Sequence, residues 1–72
     1  MSLALYKKGT NLTVSELLCK GACRQRLIDQ GIMRGTKITV NGFAPLGDPM
    51  LIKVNGFDLA IRKSDAKNIL VM

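Results

Sequence analysis

The chemistry open to this chain is limited by its residue types. Cys19 and Cys23 are its only thiols, and there is no His. Zinc and iron–sulfur centres ordinarily take four ligands, often from two such cysteine pairs. One pair without His would need added carboxylates, or a second chain supplying two more thiolates. The simpler reading has one small buried residue on a helix and one half-exposed neighbour, since free cysteine commonly serves as a small hydrophobe. On that reading no cofactor and no resident metal is expected, and Cys19 and Cys23 stand as the alternative metal ligands. The carboxylates are Glu16, Asp29, Asp48, Asp58 and Asp65, each in a different stretch of chain. None has the short spacing to another that suggests an acid/base couple. Asp48, between Gly47 and Pro49, reads as turn chemistry. Asp65 follows Ser64 in a first helical turn, where the helix dipole favours negative charge.

The most unusual segment is Phe43-Ala44-Pro45-Leu46-Gly47-Asp48-Pro49. Two prolines and a glycine bracket an apolar Leu46 in what reads as an exposed connection. Leu46 could fold back and complete the core. It could also stand out as a preorganised knob for a protein partner, because a stiff loop loses little entropy on docking. The second reading makes Ala44, Pro45, Leu46, Gly47, Asp48 and Pro49 a partner-binding surface. Arg24, Arg34 and Lys37, from a loose basic group that includes Lys20 and Arg26, would then speed the encounter.

These residues need elements to position them. Asn11–Leu18 reads as a strand, with Leu12, Val14 and Leu17 inward and Thr and Val favouring extended backbone. Ala22–Gln30 reads as a helix ended by Gly31. There glycine can take the left-handed conformation, with Ile32 and Leu27 meeting across a Schellman motif. Its single narrow apolar stripe predicts a helix lying on a surface. Lys37–Asn41, Met50–Val54 and Phe57–Arg62 alternate apolar and polar residues with the period of half-buried strands. Asn55-Gly56 separates the last two by the dipeptide best suited to a type I′ hairpin turn. Leu3–Lys8 reads as a lead-in turn, Ser64-Asp65-Ala66 as a short turn capped by Ser64, and Asn68–Val71 as a final strand. Short strands with one helix after the first predict a small barrel, mostly β, that curls to hide its edges. The predicted core is Val14, Leu17, Leu27, Ile32, Ile38, Val40, Ile52, Val54, Leu59, Ile61, Ile69 and Val71, and Phe57 also reads as core.

Size and charge narrow the function. A chain of 72 residues allows one small domain, and a domain near this size buries only about 60% of its unfolded surface. With no His to act as base, the chain reads as something other than a free-standing enzyme. Eleven Lys and Arg against five Asp and Glu leave a net charge of +6. That charge serves solubility, or an anionic partner. The basic residues are dispersed and the aromatics number only Tyr6, Phe43 and Phe57, a poor match to the stacking platforms of single-strand binders. No nucleic acid is expected. Strictly apolar runs such as Met50–Ile52 and Ile69–Met72 are far short of a membrane span. Met1–Tyr6 has no preceding basic residue and stops at Lys7-Lys8, too short for a signal-peptide core. A cytosolic chain is expected, with both cysteines as free thiols.

Several segments in order carry a resemblance. They are Arg26-Leu27-Ile28-Asp29-Gln30-Gly31-Ile32, Gly35, Ala44-Pro45-Leu46-Gly47-Asp48-Pro49, Leu59-Ala60-Ile61-Arg62-Lys63 and Asp65-Ala66. Together they resemble the FeoA-type proteins, small accessory proteins of bacterial ferrous-iron uptake, over nearly the whole of residues 1–72. The loop with its downstream Arg-Lys pair is the most specific part. The resemblance implies an SH3-like barrel of about five strands. It also implies a partner, the cytosolic region of a FeoB-type transporter, whose assembly or gating the protein would modulate without catalysis from the inner face of the membrane. A related domain forms the C-terminal module of metal-dependent repressors, so a detached module of that kind is the alternative. Gln30, Cys19 and Cys23 depart from the expected pattern.

Overall fold

The computed structural model describes all 72 residues. A 3-10 turn, Leu3–Leu5, leads into β1 (Asn11–Leu17), α1 (Ala22–Asp29), β2 (Lys37–Phe43), β3 (Met50–Val54), β4 (Phe57–Ile61), α2 (Lys63–Ala66) and β5 (Ile69–Val71). The strands form one antiparallel sheet in the order β4-β3-β2-β1-β5. This is the mostly β architecture with one main helix that the alternating pattern predicts. The sheet curls around its core in a barrel-like manner without a β4–β5 ladder to close it.

Alternation in sequence becomes alternation in burial. In β3, Met50, Ile52 and Val54 are buried while Leu51 and Lys53 face solvent. The β3–β4 turn has Asn55 at φ 50° and Gly56 at φ 87°, the two positive values a type I′ turn requires. β2 runs two residues beyond its expected end at Asn41. A bulge between Val40 and Gly42 lets pairing resume, with Gly42 opposite Leu51 and Phe43 opposite Met50.

Helix α1 lies on the surface, with only Leu27 fully buried along it. It ends as its sequence predicts. Gly31 stands at φ 88°, the Ile32 N–H donates to the Leu27 carbonyl and the Gly31 N–H to that of Ile28, each at 2.9 Å. Leu27 and Ile32 are both completely buried, which supplies the apolar contact of a Schellman motif.

Fifteen apolar residues form the core. Every predicted core residue is in it except two on the edge strand β4, Leu59, which is half-buried, and Phe57. Leu3 and Ala66 join it from segments read as turns. Phe57 is a correction: it is 75% exposed, because it stands at the turn end of the edge strand, whereas Ile61 at the other end of the same strand is buried. A second correction concerns α2. Arg62 rather than Ser64 occupies its N-cap position and contributes no side-chain bond. The Asp48 carboxylate, from a distant loop, instead accepts the Lys63 N–H at 3.0 Å.

Candidate docking loop and its surroundings

The connection between β2 and β3 is short and stiff. Ala44 N–H donates to the Pro49 carbonyl at 3.0 Å, closing the base of the loop. Gly47 N–H donates to the Ala44 carbonyl at 2.7 Å, closing a four-residue turn within it. Pro45 and Leu46 are the central residues of that turn. Neither has positive φ, and Gly47 follows at φ 86°. Pro at the second position and Gly at the fourth suit a type I turn. The Asp48–Pro49 peptide is cis.

The loop is also tied sideways. Asp48 Oδ1 accepts the first N–H of α2, a donor that no helical carbonyl can satisfy. Lys63 Nζ sits 5.2 Å from the centre of the Phe43 ring, within cation–π range. These contacts leave Leu46 at the tip, 97% exposed. The fold-back alternative for Leu46 is therefore not what the chain adopts.

The basic residues are distributed differently from the loop. Arg24 and Arg34 share a groove of about 400 Å³ with Glu16, Ile28 and Met33. Lys37 lies on β2 in a separate groove beside Asn11 and Thr13. Neither groove is lined by a residue of the 44–49 loop. The cations that do adjoin the loop are Lys63 and Arg62. Arg62 lines a shallow depression with Asp48, Pro49 and Ala60. The Arg-Lys pair downstream was the available signal for both. Asp65, read as a dipole partner, also bridges α2 to α1, accepting from Arg26 Nη2 at 2.8 Å.

The cysteines bring the third correction. Cys19 and Cys23 are joined in a disulfide, with Cα atoms 5.9 Å apart. Gly21, at φ 63° just before α1, turns the chain so that the first helical turn comes back over Cys19. The expectation of free thiols is thereby overturned, and the Cα spacing is an ordinary disulfide one although only three residues separate the cysteines. Nowhere do three or more His, Cys, Asp or Glu side chains gather as they would around a metal ion. No helix is long and apolar enough to cross a membrane.

The likeness of the chain to known proteins is extensive. It is 30% identical over 69 residues to an Fe(2+) transport protein A/Fe(2+) transporter FeoB fusion protein of Porphyromonas gingivalis, a match that takes in 96% of this chain and 8% of that much longer protein. The solution structure of a FeoA protein from Chlorobium tepidum superposes with a TM-score of 0.91 at 41% identity, over 99% of this chain and 68% of that one. The FeoA of Stenotrophomonas maltophilia, solved as a zinc complex and described as a prokaryotic SH3 domain protein, superposes with a TM-score of 0.86 at 26% identity, over 100% of this chain and 89% of that one. The FeoA domain profile matches residues 1–72 from end to end, and the chain accordingly belongs to the FeoA family, which is linked to ferrous-iron transport.

Proposed function

We propose that this chain is a non-enzymatic accessory protein of ferrous-iron uptake that docks on the cytosolic part of a FeoB-type transporter through the Ala44–Pro49 loop and modulates its assembly or gating. The observation that carries the reading is Leu46, a leucine almost wholly in water on a loop fixed at its base and its side. An apolar anchor entering a pocket is a common source of binding energy, and a prefixed loop loses little freedom in docking. The existence of a chain in which a domain like this one is fused to a FeoB transporter supports the choice of partner. Arg24, Arg34 and Lys37, outside the loop, would act on the encounter rate and its salt dependence.

The test is Leu46→Asp, assayed for co-purification with the transporter and for thermal stability. The proposal expects binding lost and stability held within about 0.5 kcal/mol, as for an ordinary surface substitution. A stable variant that still co-purifies normally would move the interface elsewhere.

A further inference from the structure

Of the two outer strands of the sheet, one is covered and one is not. Along β5, Ser2 bridges Leu70 and the Val71 N–H donates to the Met1 carbonyl at 3.1 Å. No strand or terminal segment pairs with the outer side of β4. The two-residue turn makes Val54 and Phe57 the hydrogen-bonded pair that closes the hairpin, and the pattern then alternates along the ladder. Phe57, Leu59 and Ile61 direct their N–H and C=O groups to β3. Those of Asp58 and Ala60 point away from the sheet.

We propose that this edge pairs with the same edge of a second copy of the chain, antiparallel about a two-fold axis at Ala60. In that register Ala60 faces Ala60, and Asp58 faces Arg62 of the second copy, once on each side of the axis. The backbone at Arg62 is still extended, at φ −67° and ψ 143°. Its carbonyl already accepts the Asp65 and Ala66 N–H groups, each at 3.0 Å. The new ladder therefore consists of the mutual bonds of the Ala60 pair and one bond at each end, from the Arg62 N–H to the Asp58 carbonyl.

Charge selects the partner and the register. Lys53 Nζ lies 3.9 Å from Asp58 on the outer face, so pairing would extend a row of alternating sign: Lys53, Asp58, then Arg62 of the second copy. The adjoining row joins two copies of Leu51, 40% exposed, across the two Ala60 methyls. On the inner face, the exposed Phe57 and half-buried Leu59 would lie beside the new strand. A slip of two residues sets Asp58 against Ala60 or Ser64 and unpairs the charges. Charged side chains on an edge strand generally discourage pairing. Opposite charges equally spaced about Ala60 discourage other strands while matching this one.

The +6 charge of each copy opposes approach from a distance. At an ionic strength of about 0.15 M that repulsion is screened beyond roughly 8 Å, so the measurement belongs there. Sedimentation velocity of the full chain from about 10 μM to about 1 mM should show a concentration-dependent dimer, in the affinity range of weak homodimers. Asp58→Arg and Arg62→Asp should each raise the dimer Kd about tenfold or more, and the double reversal should restore it. Ala60→Pro removes an N–H that β3 does not use, so it should abolish the dimer while circular dichroism reports a folded chain. A wild-type chain monomeric throughout that range would overturn the proposal. So would a dimer indifferent to the single reversals, or one that the double reversal fails to restore.

Discussion

Leu46 and Phe57 are both large apolar side chains standing in water, at 97% and 75% exposure, yet they stand there for opposite reasons. Around Leu46 the backbone is closed into a turn by two hydrogen bonds. Ala44 and Gly47 have their N–H partners inside the loop, and Asp48 reaches across to α2. That region presents a tight turn with no extended run of outward-facing N–H and C=O groups, so it offers a partner chiefly side chains. Around Phe57 the backbone is half-used, because β4 is an edge whose alternate N–H and C=O groups face outward. That region can offer main-chain pairing to another strand. Exposure of an apolar residue thus carries different meanings depending on the hydrogen bonding beneath it.

The comparison is sharpened most by loosening the loop. Gly47 sits at φ +86°, where a Cβ would be 3.5 Å from Lys63 Nζ, an ordinary contact with a flexible tip. The space is adequate and the backbone conformation is the obstacle. Gly47→Ala should lower stability by about 1–2 kcal/mol, the usual cost of left-handed backbone for a residue with a Cβ. Urea denaturation would read it, and an unchanged midpoint would mean that the loop relaxes freely and is not stiff.

A smaller effect is expected where the loop meets α2. Asp48→Ala removes the acceptor of the Lys63 N–H, so this tie behaves as a cap supplied from a distant segment. Loss of a capping side chain costs about 0.5–2 kcal/mol. Because the variant leaves Leu46 itself intact, it separates the side chain from its presentation. Transporter binding should weaken together with the melting temperature. Unaltered binding by a destabilised variant would show that Leu46 alone suffices.

Much of this arrangement was legible in the residues. The period-two strands, the Asn55-Gly56 turn and the Gly31 helix end follow from local chemistry, and each appears where that chemistry puts it. Ser64 was misread because Ser before a short helix resembles a cap, whereas the acceptor actually used, Asp48, is fifteen residues away. The disulfide was missed because the free-thiol reading rested on the expected compartment, and the turn at Gly21 between the two cysteines is a backbone conformation no residue count reveals. Within the candidate loop, Leu46 was recognisable from Pro45 and Pro49 on either side. The roles of Lys63 and Asp65 required knowing which elements meet, since their partners Phe43 and Arg26 are remote in sequence.

The smallest expected effect tests the other half of the comparison. Phe57 shares the inward parity of Leu59 and Ile61, and alternation alone would bury it. Were it core, truncation would cost about 3–5 kcal/mol, as for buried phenylalanines. The structure gives it one neighbouring strand and 75% exposure, so little apolar area is returned to water when the ring is removed. Phe57→Ser should therefore shift the stability of the dilute chain by no more than about 0.5 kcal/mol. It opens β4 directly after the turn, where Asn55 and Gly56 already hold the hairpin geometry, so pairing with β3 should persist. Denaturation of the variant at low concentration isolates this intramolecular term from any pairing between copies. A loss of several kcal/mol there would mean that the ring closes over the core in solution and that β4 presents no open apolar edge.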